Sequence, residues 1–137
     1  MSFITFDVQF SIIGQSKIGR ATFQRNLAPH STALIRYHLR KPIQSRIVVR
    51  EGEVSIPFKI GRAGPEDTKR EVQRGDVAYW TQSNTLKIFL KEKTIDYPVN
   101  IVGSVHPETQ SFFDNLKMGK SIKLEMVQPL IDEADYL

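Results

Sequence analysis

The sequence predicts a strand-dominated, all-β (mostly β) fold: one closed β-barrel of about eight strands, capped by two short helices. Three observations lead there. The N-terminal run alternates apolar and polar residues with period two. Most later apolar runs are short and separated by Gly-, Pro- or Asn-containing turns. Only two segments carry a helical period. The chain has 137 residues, which suits one domain, and its 40% apolar and 25% charged residues are ordinary for a globular protein.

"ITFDVQFSI" places Ile4, Phe6, Val8, Phe10 and Ile12 on one face, with Thr5, Asp7, Gln9 and Ser11 on the other. That is a half-buried strand. Gly14-Gln15-Ser16 reads as a turn, and "IGRATFQR" as the returning partner. "APHSTALIRYHL" changes period: Leu34, Ile35, His38 and Leu39 share a side, Pro29 or Ser31 suits the start, and Pro42 suits an end after Lys41.

"QSRIVVREGEVSIPFKI" reads as two strands around Glu51-Gly52-Glu53. "GRAGPEDTKREVQRGD" is polar and Gly-rich and predicts a long surface loop. "VAYW" and "TLKIFL" are strands joined by "TQSN", and residues 91–98 read as another loop. In "VNIVGSV", Gly103 marks a bulge or a close backbone approach. "PETQSFFDNLKM" is a short helix with Phe112, Phe113 and Leu116 inward, and "GKSIKLEMV" a closing strand with Ile122, Leu124 and Met126 on one face. The expected division is a barrel over residues 1–128 and an acidic C-terminal tail over 129–137.

The chain has no Cys, which excludes disulfides, thiolate metal sites and a Cys nucleophile. His30, His38 and His106 have no metal-ligand spacing, so neither a metal nor a cofactor is expected. "MSFITFDVQF" lacks a basic leader, and no window is apolar for long enough to cross a bilayer; the expectation is a cytoplasmic protein without a membrane partner. Charge is uneven: residues 1–74 carry 13 Lys/Arg and 6 Asp/Glu, residues 75–137 carry 6 and 9. The positives are not interleaved with aromatics, so a nucleic-acid partner is not expected. "RGD" (Arg74 to Asp76) reads as a strand-entry turn.

The order of elements resembles the small prokaryotic cyclophilin-like family. The match is carried by "GDVAYW" (Gly75 to Trp80), "LKIFL" (Leu86 to Leu90), "VNIVGSV" (Val99 to Val105) and "FFDNLKMGKSIKLE" (Phe112 to Glu125). "STALIRYHL" and "REGEVSIPF" fit the preceding helix and hairpin. True cyclophilins are peptidyl-prolyl isomerases, in which an Arg on the strand after the first helix stabilises the twisted prolyl amide. The resemblance points to Arg46 for that role, with Arg50 as second candidate. The Phe-His-Arg and Gln-Gly-Gly signatures of the isomerases are absent here.

The expectation is therefore a non-catalytic or weakly active module that binds a peptide or small-molecule ligand in a groove beside "YWTQSN". The alternatives are an isomerase with a divergent site, or a subunit of a larger enzyme. The groove residues would be Tyr79, Trp80, Gln82, Asn84, Lys87 and Phe89. Tyr79 and Trp80 point to opposite faces of their strand, and Lys87 and Phe89 face the groove if Leu86, Ile88 and Leu90 face the core.

Overall fold

A computed structural model describes residues 4–127. The acidic tail expected at 129–137 lies outside the described residues. The elements in chain order are β1 (Thr5–Ile12), β2 (Ile18–Gln24), α1 (Pro29–His38), β3 (Ile43–Arg46), β4 (Val48–Arg50), β5 (Glu53–Pro57), β6 (Lys69–Val72), β7 (Asp76–Trp80), β8 (Thr85–Phe89), β9 (Lys93–Val105), α2 (Gln110–Asp114) and β10 (Ser121–Met126). Short 3-10 turns occupy Thr81–Ser83 and Pro107–Thr109.

All described strand pairs are antiparallel, and the sheet runs β3-β10-β1-β2-β9-β7-β8-β5-β4, with β6 added against β9. The mostly-β expectation holds, but a closed barrel does not. No ladder joins β3 to β4, the two ends of the order. The reason lies at Ile47, which separates these consecutive strands. Its backbone N–H donates to the Lys120 carbonyl and its own carbonyl accepts from the Gly119 N–H. Those bonds tie it to the turn before β10. The segment 43–50 thus supplies both ends of the sheet without pairing with itself.

The strands curl around a core of Val8, Phe10, Phe23, Ile47, Ile56, Tyr79, Ile88, Phe113 and Leu124, among others, which α1 and α2 cover. The β1 alternation gives this directly: Val8, Phe10 and Ile12 are buried, while Ile4 at the strand's start is exposed. Helix α1 starts on Pro29, whose missing N–H costs nothing there, and ends at His38, one turn before the expected Lys41.

A smaller second core sits on the outer face: Val72, Ala78, Phe89, Ile95 and Val99, with Trp80, Tyr97 and Ile101 packed against it. Two segments read as loops create it. Residues 69–72 form β6, and 93–98 begin the long β9. Ile95, Tyr97 and Val99 alternate as a strand should; beside β6, Ile95 and Val99 are buried and Tyr97 half-buried.

Arg50 and Glu53 pair across the β4–β5 hairpin, with Glu51 at φ 52° and Gly52 at φ 77°. Positive φ at both central residues matches the right-handed twist of the strands. The expected irregularity at Gly103 is present in both forms. The β7–β9 register slips between Val77 and Ala78, so Val102 is the extra residue, and a Cβ on Gly103 would stand 2.1 Å from the Thr22 carbonyl oxygen.

Candidate functional site

The register of β7 and β8 decides where the predicted groove residues go. Val77 and Tyr79 face the main core; Ala78 and Trp80 face outward. On β8, Leu86 and Ile88 face the core and Lys87 and Phe89 the outer face, as the alternation predicts. Being on the outer face does not make them accessible. Phe89 is fully buried in the second core, and Tyr79 fully buried in the first. The Tyr79 hydroxyl donates to the Phe58 carbonyl at 2.6 Å, anchoring the strand end from which the long loop departs. Burial pushes its pKa up.

Lys87 is also enclosed. Its ammonium donates to Ser55 Oγ at 2.7 Å and to Glu53 Oε1 at 3.1 Å. Lys93 donates to Glu53 Oε2 at 2.7 Å, and the Tyr97 hydroxyl donates to Glu53 Oε1. Burial disfavours the Glu53 charge, but the hydrogen bonds from Lys93, Tyr97 and Lys87 outweigh it and hold the carboxyl below its usual range. Burial and the neighbouring carboxylate raise Tyr97. The Trp80 and Tyr97 rings stack at 4.1 Å, with the Lys87 ammonium 5.2 Å from each ring centre. The Trp80 indole N–H is buried without a hydrogen-bond partner among the described residues. Trp80 and Lys87 therefore belong to an aromatic and charge cluster whose charges are paired within it, while the Trp80 N–H is not. Glu53, Lys93 and Tyr97 were not read from the sequence. The alternation of Glu53 and Ser55 against Val54 and Ile56 was the signal for the first of them.

The open depression lies at the end of β7, where the polar turn meets the loop after β5. It encloses about 530 Å³ and is lined by Lys59 and Gly61–Gly64 from the loop after β5, and by Thr81 and Asn84 from the turn after β7. Asn84 sits in the left-handed region at φ 50°, and its carbonyl accepts from the Phe58 N–H at 2.9 Å. One residue thus ends the turn and fixes the root of the loop. Gln82 is exposed on the same turn but is not part of the lining. Lys59 and Arg62 have no ion-pair partner among the described residues, so the depression is cationic.

The loop over this depression is latched. Glu66 Oε1 accepts from the His30 N–H at 2.7 Å, and Oε2 accepts from the Ser31 N–H at 2.8 Å and the Ser31 hydroxyl at 2.6 Å. Helix α1 has no side-chain N-cap and no acidic residue in its first turn, so Glu66 supplies the missing negative charge from 36 positions away. Fully buried Asn100 completes the latch, accepting from the Glu66 N–H at 2.8 Å and donating to the Gly64 carbonyl at 2.9 Å.

Arg46 stands apart. It is exposed on β3, opposite Ser121, and does not line the depression. Arg50 is exposed on β4. In "RGD", Arg74 donates to both carboxylate oxygens of Asp114, at 3.0 and 2.7 Å, and Asp76 accepts from the Gln73 N–H at 2.8 Å. Both charges are engaged within the chain at the entry to β7. No three His, Asp or Glu side chains converge as a metal site among the described residues. No described helix is long and apolar enough to cross a membrane.

Comparisons with known proteins bear on this arrangement. A family model described as 6-phospho-N-acetylmuramidase, C-terminal, matches residues 20–125. The hypothetical protein AF2241 from Archaeoglobus fulgidus, known from a solution structure, aligns with a TM-score of 0.73 at 19% identity, over 90% of this chain and 96% of that one. McbB, solved in complex with tryptophan, aligns with a TM-score of 0.72 at 14% identity, over 90% of this chain and 46% of McbB. The chain thus spans just under half of McbB. At these identities the likeness is one of fold. Comparison with curated protein sequences finds no match.

Proposed function

The chain belongs to the family of 6-phospho-N-acetylmuramidase C-terminal domains, and from that premise we propose that it is a non-catalytic binding module for a small anionic ligand. One observation carries the reading: Lys59 and Arg62 line the same open depression of about 530 Å³ as Thr81 and Asn84. That size suits a small molecule. Two cations attract a phosphate or carboxylate, and Thr81 and Asn84 offer hydroxyl and amide groups to a sugar or peptide backbone. The family's name turns the choice toward a phosphorylated amino sugar. The curled sheet with two short helices is read here as cyclophilin-like, supported by the element order from "GDVAYW" to "FFDNLKMGKSIKLE".

The test is a titration with N-acetylmuramic acid 6-phosphate and its unphosphorylated form, followed by amide chemical shifts and by Trp80 fluorescence. We expect shifts at residues 59–64 and 81–84, weaker binding of the unphosphorylated sugar, and at least tenfold loss in a Lys59→Ala/Arg62→Ala variant. Unmoved amides in both segments at millimolar ligand would refute the reading. A protease-coupled prolyl-peptide assay at high protein concentration should show no rate above background. A rate abolished by Arg46→Ala would install a prolyl isomerase instead.

A further inference from the structure

A second, larger cavity, of about 820 Å³, opens between the β1–β2 turn and the α2 end of the molecule. It shares no lining residue with the depression described above. Its floor is apolar, from Ile12, Phe112 and Leu116, all buried at the edge of the main core. Three lysines from two segments line its walls: Lys17 in the β1–β2 turn, and Lys117 and Lys120 in the connection between α2 and β10. None has an ion-pair partner among the described residues. One carboxylate, Glu108, is also part of the lining.

The neighbouring turn tips add a second feature. Ile13 is 52% exposed, Ile18 37% and Met118 55%. Single exposed apolar residues are ordinary. Here Ile13 and Met118 lie in the two turns that bound one concave, cationic cavity, and Ile18, the first residue of β2, is part of its lining. A small ligand seated on the floor gives no reason for apolar tips outside it. A polypeptide does, because its side chains reach both the floor and the rim.

We infer that this cavity is a docking site for an acidic segment of a partner polypeptide that also carries large apolar side chains. Its apolar side chains fill the floor over Phe112 and Leu116, and its carboxylates meet Lys17, Lys117 and Lys120. Ser111 and Asn115 are also part of the lining and offer hydrogen bonds to the segment's backbone. Concavity favours a polypeptide over an anionic membrane, which a flat or protruding basic surface would suit better.

The test is selection of a displayed random-peptide library on the full chain, with counter-selection on a Lys17→Glu/Lys117→Glu/Lys120→Glu variant. We expect enriched peptides with at least two Asp or Glu beside Leu, Ile, Phe or Met. A synthetic consensus peptide should shift the amides of residues 13–18 and 111–120. Its affinity should fall at least tenfold in the charge-reversal variant and in Ile13→Asp/Met118→Asp, and should weaken as salt rises. All substituted residues are exposed, and matching thermal midpoints verify that the variants fold.

Several results overturn the inference. One is no enrichment, or enriched peptides without acidic residues. Another is equal affinity for the charge-reversal variant, or shifts confined to residues 59–64 and 81–84. Binding to phosphatidylglycerol vesicles that the charge-reversal variant loses would reassign the face to membranes. Sedimentation showing a wild-type dimer and a monomeric variant would reassign it to self-association. Shifts confined to residues 59–64 and 81–84 would move the peptide to the Lys59/Arg62 depression; the other results do not bear on that depression, so failure here and failure of the proposed ligand-binding function are read separately.

Discussion

Glu53 concentrates the electrostatics of the outer face in one carboxylate, with two ammonium groups and a phenol donating to it. Glu53→Gln removes the charge and leaves Lys87 enclosed beside a neutral amide. We expect a loss of roughly 2–3 kcal/mol at neutral pH, in the direction of breaking a buried pair and reduced because Lys93 retains solvent access. Urea unfolding measures it. The pH dependence has a definite sign. Because the folded carboxyl titrates below its ordinary value, its contribution is complete above the ordinary carboxylate range and is lost as pH falls through the folded value. The gap between wild type and Glu53→Gln should therefore narrow below about pH 4. At Gly103 the chemistry is steric. An added methyl collides with the Thr22 carbonyl at 2.1 Å, and neither strand can move without breaking its ladder. Gly103→Ala should cost about 3 kcal/mol or more, read as a lowered urea midpoint at unchanged slope.

Between elements, the latch on α1 is the contact most open to a decisive experiment. Glu66→Ala leaves the His30 and Ser31 N–H groups without their acceptor and frees the loop from the helix. The expected cost is about 1–2 kcal/mol, by analogy with loss of a charged N-cap. Amide exchange should rise in residues 59–68 and in the first turn of α1, while the β1–β2–β10 core keeps its protection. Uniform change across the chain would show that the latch holds more than the loop.

The sequence made the β1–β2 hairpin, the inward Phe112 and Phe113, the Gly103 irregularity and the β7–β8 facing legible, because period two and turn chemistry are local signals. It concealed β6 and the start of β9. There the strand-forming residues, Val72, Ile95 and Tyr97, are few and set among charges, and only pairing with each other stabilises them. Of the site, Asn84 was legible as a turn residue. Lys59, Arg62 and Glu66 were not, since their roles depend on where a Gly-rich loop folds back.

At the scale of the whole molecule, the sheet neighbours β3 with β10 and β2 with β9, pairing the first half of the chain with the second. Such contacts require closure of long loops before they contribute, so folding is slow for the chain's size. Stopped-flow refolding followed by Trp80 fluorescence should show a main phase in the range of about milliseconds to seconds. A microsecond phase carrying the full amplitude would contradict this topology.

The junction at Ile47 also bears on how the protein behaves in a crowded solution. Besides the outer edge of β6, an unclosed sheet offers two borders, the ends of its strand order, at which another chain can add a strand and begin an aggregate. Here those borders are only four and three residues long, β3 and β4, and only Ile47 separates them in the chain. Arg46 and Arg50 stand exposed on them, one on each. A foreign strand approaching either border meets a short template and a guanidinium. On this view the arginine that resemblance nominates for catalysis protects solubility, and replacing Arg46 and Arg50 with Val should raise light scattering on heating more than it lowers the unfolding midpoint.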